Sequence, residues 1–484
     1  PAVLLDLKRS DTGEYSISRF FFANEENFEE LVFFSRAFIL LLSISLIIFI
    51  YKFSSELSNS KIGLFAVFLY IFEPTIMANS TLVTTDFGVV IFVFLSIYFL
   101  YYFKKNLHKC VSWKFLFASF FSVGLAITSK FSGLLVMPIW LVLFFYKNNL
   151  SLYKKFFIIF IFLFTILLTI NFLYSFDRDY KFAYDCNENK SNCLIIFNTP
   201  VFVPLPEKFV EGLNLVRIHA QTGHPAYLFG EYSEKGWWYY YPIAFFIKTP
   251  IPLLLFIFFG VLFILRRKRP VFLFLVVPIL LFLFFFMFFN KINIGIRHIL
   301  PIYPFLVILA IHSFYLIKNK YIFFLLLIWY FLAFISVFPF NLTYFNELIG
   351  GPINGPKALL DSNIDWGQDL KFTRDYINNN QIKEFYYGRA IEENSIYPFL
   401  LYIDSNKIIN KPFCYQKKIG TYIVNVNTLY ALYGVGPDAN YSHQTKIPPD
   451  LTIYRPPEDC YIWLRNETPI HIIGNSVYVY NLTE

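Results

Sequence analysis

Ten apolar runs set the limits on what this chain can fold into: roughly 33–51, 62–79, 87–103, 114–129, 131–146, 156–175, 243–265, 271–289, 299–317 and 321–339. A helical crossing of a bilayer takes about 20 residues. Within lipid every backbone N–H and C=O needs a partner inside the chain, so such runs read as transmembrane helices. The composition agrees. Of 484 residues 57% are apolar and only 15% charged, against roughly 25% charged in an average soluble domain.

The short loops give an orientation. Loops 52–61, 104–114, 147–155, 266–269 and 318–320 are rich in Lys and Arg, and Glu56 is their one acid. By the positive-inside rule these loops face the cytoplasm. The net charge of +8 is therefore a topology signal. It does not form a nucleic-acid surface, and no RNA-binding signature accompanies it. The same reading puts 1–32, the turn 71–86, the loop 176–242 and the tail 341–484 outside. Cys186, Cys193, Cys414 and Cys460 fall in the outer segments and Cys110 inside, a distribution suited to outer disulfides and one reduced thiol.

The expected organisation is a remnant of a first outer loop (1–32), a membrane domain (33–340) with outer loop 176–242, and a small α/β domain at 341–484. In that tail DLKFTRDYINNN reads as a helix, and EFYYGR, TYIVNV and NSVYVYNL read as strands.

Polar groups at the outer ends of the spans are the candidates for chemistry. Asp86, in LVTTDFGVV, suits either a helix cap or a carboxylate at a membrane-surface site. Lys130, in TSKFSG, either snorkels or clamps a lipid phosphate. Arg36, Arg297 and His298 are placed likewise. Cations on the face opposite the basic loops are poorly explained by topology and suit a phosphate headgroup. In GHPAYLFGEYSEKGWWYYY (223–241) the aromatics read as an interfacial belt. His224 and Glu231 suit either a shared divalent metal or the placement of a polar headgroup. DSNIDWGQDLK begins like a calcium loop, but Trp366 stands where that loop needs Gly, so a turn leading into a helix fits better. No P-loop or nucleophile elbow is present.

Together LVTTDFGVVIFVFLSIYFL, SKFSGLLVMPIW, GHPAYL with GWWYYYPIAFFIKTP, NIGIRHILPIYPF and DSNIDWGQDL resemble bacterial membrane glycosyltransferases of the GT-C fold. The likeness is to the branch related to protein O-mannosyltransferases and lipid A aminoarabinose transferases. It implies a multi-pass protein of the bacterial inner membrane, with the active site and a C-terminal domain on the outer side. The implied reaction moves a sugar, with inversion, from a polyprenyl-phosphate donor to a protein, glycolipid or polysaccharide acceptor. Asp86 would be the second acidic active-site position. Arg36, Lys130 and Arg297 would contact donor phosphate, and His224 would face substrate or metal. In that family the principal catalytic carboxylate follows a first transmembrane helix and precedes a His-Pro-Pro stretch, of which Pro1 resembles the end. An upstream helix would bring the spans to eleven. The rival expectation is a transporter or flippase of lipid-linked precursors, which calls for mid-span ionisable residues and paired broken helices. A non-catalytic membrane subunit is the third.

Overall fold

The computed structural model describes residues 28–107, 112–148, 150–176, 193–196, 199–202, 204–267, 269–388, 403–409, 417–432, 443–447, 451–455 and 460–483. Cys110, Cys186 and Cys414 lie outside them. The chain divides into two compact units. One comprises Ile39–His224 and Glu234–Asn341, the other Pro1–Phe38, Pro225–Ser233 and Leu342–Glu484. The short 225–233 segment thus groups with the tail, although the sequence reading kept it in the membrane domain.

The larger unit is helical. Its elements are α1 (Phe28–Leu57, continuous with the other unit's first residues), α2 (Ser60–Ile71), α3 (Pro74–Thr81), α4 (Asp86–Lys105), α5 (Ser112–Ser129), α6 (Val136–Phe145), α7 (Leu152–Leu173), α8 (Glu207–Thr222), α9 (Tyr240–Lys248), α10 (Ile251–Arg267), α11 (Leu273–Phe288), α12 (Tyr303–Ala310) and α13 (Lys320–Ile335). Among the described residues six helical segments are long and apolar enough to cross a membrane, or up to eight if each of two bent pairs counts as one span. The protein is a multi-pass membrane protein. Phe131–Phe145 and Lys320–Ile335 are apolar but shorter.

Runs 62–79 and 243–265 each read in the sequence as one apolar span. In the structure each is a bent pair: α2 and α3 meet at 66°, and α9 and α10 at 115°. Both breaks sit at an X–Pro step. Proline has no N–H to donate and disfavours a helical residue before it. Glu73 therefore turns extended ahead of Pro74, and its carboxylate caps α3 by accepting from Ile76 N at 2.6 Å. Thr249 is likewise extended ahead of Pro250. Glu73 at the N-terminus of α3 and Lys248 at the C-terminus of α9 are both buried and within electrostatic reach of each other.

A hydrogen-bonded relay locks the helices around α4. Trp140 Nε1 donates to Ser119 Oγ at 2.8 Å, and Ser119 Oγ donates to the Ser96 carbonyl at 2.7 Å. This joins α6, α5 and α4 through buried groups, while Trp140 stacks on Phe162 of α7 with centroids 4.3 Å apart. In an apolar interior each such polar group needs its partner.

In the smaller unit, β3 (Ala226–Leu228) and β4 (Glu231–Ser233) form an antiparallel hairpin. The tail carries α14 (Leu370–Asn379) and a four-stranded sheet in the order β5 (Tyr386–Gly388), β6 (Gly420–Asn425), β10 (Val477–Leu482), β9 (His471–Ile473). The β5–β6 pair is parallel and the others antiparallel. Two further hairpins are β1 (Cys193–Ile196) with β2 (Thr199–Phe202), which falls in the larger unit, and β7 (His443–Ile447) with β8 (Leu451–Arg455) in the smaller. Leu370 and Ile377 of α14 pack with Ile423, Val477 and Val479 in one apolar cluster. The helix and the three strands expected in the tail form where its sequence placed them. The calcium-like stretch forms a turn, with Asp361 at φ 59°, and leads into α14. The buried Asp369 carboxylate accepts from Ser476 and Gln368 and so ties the start of α14 to the sheet. Cys460 is disulfide-bonded.

Glu73→Ala removes the side-chain acceptor of the buried Ile76 N–H and leaves that donor without a partner, a loss of roughly 1–3 kcal/mol. Thermal unfolding in detergent will show the variant melting below the wild type.

Candidate active site

Three chain segments deliver charged groups to one place. Asp86 is the first residue of α4 and 1% exposed. It does not cap the helix: Thr85 holds the cap position, with no side-chain hydrogen bond. The carboxylate is instead engaged by two cations. Lys130 Nζ reaches Oδ1, and Arg297 Nη1 lies 3.4 Å from Oδ2. Of the two readings of Asp86, the helix cap does not form, and the carboxylate is paired with two cations instead.

Each cation is positioned by local chain chemistry. Lys130 sits between α5 and a 3₁₀ turn, Phe131–Leu135. That turn folds back because Gly133 has no side chain. A Cβ there would lie 2.2 Å from the Ala126 carbonyl oxygen, and Gly133 N donates to the Lys130 carbonyl at 2.8 Å. Arg297 and His298 open a 3₁₀ segment, Ile296–Ile302, that leads into α12. The loop before it is held from the WWYYY stretch. Trp237 N donates to Asn293 Oδ1 at 2.6 Å, and the Tyr241 hydroxyl donates to the Ile292 carbonyl at 2.5 Å. Tyr240 and Tyr241 are buried, whereas Trp238 is 58% exposed. The expected aromatic belt therefore holds only in part. Tyr240 and Tyr241 are core residues, Tyr241 braces the Arg297 loop, and the His298 ring lies against Tyr241 and Phe286.

His298 is within electrostatic reach of Lys130, Arg297, His219 and His224, so the cluster extends to two further imidazoles. His224 Nδ1 lies 3.0 Å from His219 Nε2. Gly223 brings α8 round to this contact at φ +94°, where a Cβ would meet the Glu234 carbonyl oxygen at 2.0 Å. Burial, with His219 and then Arg297 nearby, lowers the His224 ring to about 3. Burial also lowers His219. Near neutral pH the site therefore holds a Lys and an Arg against one carboxylate, beside a neutral His224.

Of the residues singled out from sequence, Asp86, Lys130, Arg297, His298 and His224 fall in this cluster. Arg36 and Glu231 belong to the other unit, and both are exposed. The expected His224–Glu231 metal pair is thus divided between units, and His224 pairs with His219. Among the described residues no group of three or more His, Cys, Asp or Glu is arranged to hold a metal. His219 escaped the sequence reading. Its signal was the spacing HAQTGH, in which a glycine turn lets two histidines five apart face each other.

Residues 13–181 match the family model of dolichyl-phosphate-mannose-protein mannosyltransferase. The matched stretch, about a third of the chain, contains Asp86 and Lys130 and supports a GT-C-type glycosyltransferase of the family-39 kind. No curated protein and no solved structure matches the chain. The remaining members of the cluster, His219, His224, Arg297 and His298, lie beyond the matched stretch.

The imidazole at 224 gives a pH signature. An unfolded chain takes a proton on this ring near pH 6.5, and the folded protein does so only near 3. Stability then falls as pH drops through that interval, by up to about 1.4 kcal/mol per unit from this group. Unfolding midpoints measured between pH 7 and 5 will decline less steeply in His224→Gln than in the wild type.

Proposed function

We propose that the protein transfers a sugar, mannose in the first instance, from a polyprenyl-phosphate donor to an acceptor hydroxyl at the outer face of a bacterial cytoplasmic membrane, with inversion at the anomeric carbon. The family match supports polyprenyl-phosphate-sugar mannosyltransferase chemistry in general. The observation that carries the reading to a site is the Asp86–Lys130–Arg297 cluster at the ends of membrane helices.

The electrostatics suit the reaction. When the anomeric carbon–oxygen bond breaks, its electron pair goes to the polyprenyl phosphate, so the main task is to stabilise charge on that leaving group. Lys130 and Arg297 carry two positive charges against the single carboxylate of Asp86, which leaves one in excess for a phosphate. Each contact at about 4 Å and an effective dielectric near 20 is worth roughly 4 kcal/mol before desolvation. With both oxygens of Asp86 held by cations, its role is to aim them. The acceptor's proton then goes to another base, and the resemblance places the family's principal carboxylate before the matched stretch. The outer orientation rests on the basic loops, and the disulfide at Cys460 fits an oxidising compartment.

A second reading has one observation in its favour. Paired broken helices with ionisable groups at the breaks, as at Glu73 and Lys248, are what a transporter of lipid-linked precursors calls for. The two readings separate in proteoliposomes. A transferase consumes a polyprenyl-phosphate sugar and glycosylates an acceptor on one face, and a flippase moves the intact lipid.

In a transfer assay with polyprenyl-phosphate mannose, Lys130→Met and Arg297→Met will each raise the donor KM by about ten- to a hundredfold. Asp86→Asn will raise donor KM and leave acceptor KM within about twofold, a split that a merely structural defect does not produce. If Asp86→Asn and Lys130→Met both bind donor and transfer sugar like the wild type, the site is elsewhere.

A further inference from the structure

The far end of the same helices carries a second cationic site that glycosyl transfer does not use. Asp86 begins α4 and Lys105 ends it, a rise of about 30 Å over 20 residues. At that far end Lys105 pairs with Glu56 of α1. The residues directly after Glu56 line a pocket of about 430 Å³, together with the end of α10 and the end of the span Ile296–Tyr315. Its polar lining is Ser58, Arg266, Arg267, Arg269, His312 and Tyr315.

Positive-inside topology accounts for arginines in this loop, but it does not require them to converge on a cavity. The Arg267 guanidinium carbon lies 5.8 Å from the centroid of the Phe263 ring, against the pocket wall. Among the described residues no ion pair engages Arg266, Arg267 or Arg269. The Ser58 hydroxyl is buried and has no hydrogen-bond partner, so a donor is also on hand. Three guanidinium groups and a hydroxyl around one cavity match the acceptor oxygens of a phosphate. The remaining walls are Leu57, Phe263, Phe272 and Leu316. Apolar walls at the ends of membrane helices suit a ligand with acyl chains better than a free anion, and basic pockets between helices on the cytoplasmic side take anionic lipid headgroups.

We propose that this pocket binds the phosphate headgroup of an anionic membrane lipid. The assignment is independent of the glycosyl-transfer reading, since it uses neither Asp86 nor its partners.

Native mass spectrometry of the full chain in detergent tests it, with phosphatidylglycerol or phosphatidylcholine added in titration. The wild type will hold one phosphatidylglycerol in preference to phosphatidylcholine. The exposed pair Arg266→Ala/Arg269→Ala will weaken that retention by about tenfold or more. The control Lys154→Ala/Lys155→Ala removes the same charge from another basic loop and will stay within about twofold of the wild type. Equal loss in both double variants, or no preference between the two lipids, overturns the proposal. A third arm adds inorganic phosphate. Retention of phosphatidylglycerol in millimolar phosphate supports a lipid site, and its displacement assigns the pocket to soluble phosphate and overturns the lipid claim.

Discussion

A carboxylate 1% exposed at a helix end is the constraint around which the larger unit is arranged. Asp86 needs positive partners there, because an ionised group taken out of water without them costs several kcal/mol. Its partners come from residues 44 and 211 positions further along the chain. Each arrives on a segment shaped for the purpose. A glycine without a Cβ lets the turn after Lys130 close, and the buried Tyr241 clamps the loop before Arg297. The electrostatic requirement of one residue is thus met by the backbone geometry of three places in the sequence.

The excess positive charge that remains links stability to chemistry. A site that held equal charges would be satisfied in itself and indifferent to a phosphate. On the proposed reading, two cations against one carboxylate keep the pair fixed when no donor is present and still attract one. Neutral His224 adds no competing charge.

Most of the membrane architecture was legible because lipid demands long apolar runs, and the strands of the tail were legible because their alternation and turn residues are local. What escaped reading was non-local or hidden inside apolar runs. Pro74 and Pro250 mark the broken helices in plain sight, but hydropathy averages over them. Glu73 and Lys248 were overlooked for the same reason. The cluster of Asp86, Lys130, Arg297 and His298 was anticipated from depth alone: cations at one end of the spans, on the side where topology does not call for them. Depth does not reveal which residues share a unit. Arg36 and Glu231 meet the depth criterion and yet fall outside the cluster's unit.

The cap at Pro74 has a consequence for the break itself. A kink frees backbone amides, and lipid offers them no acceptor. Glu73 takes the N–H of Ile76 at 2.6 Å, so the turn carries its own acceptor with it. The break can therefore lie among apolar neighbours, where a bare kink would strand a donor.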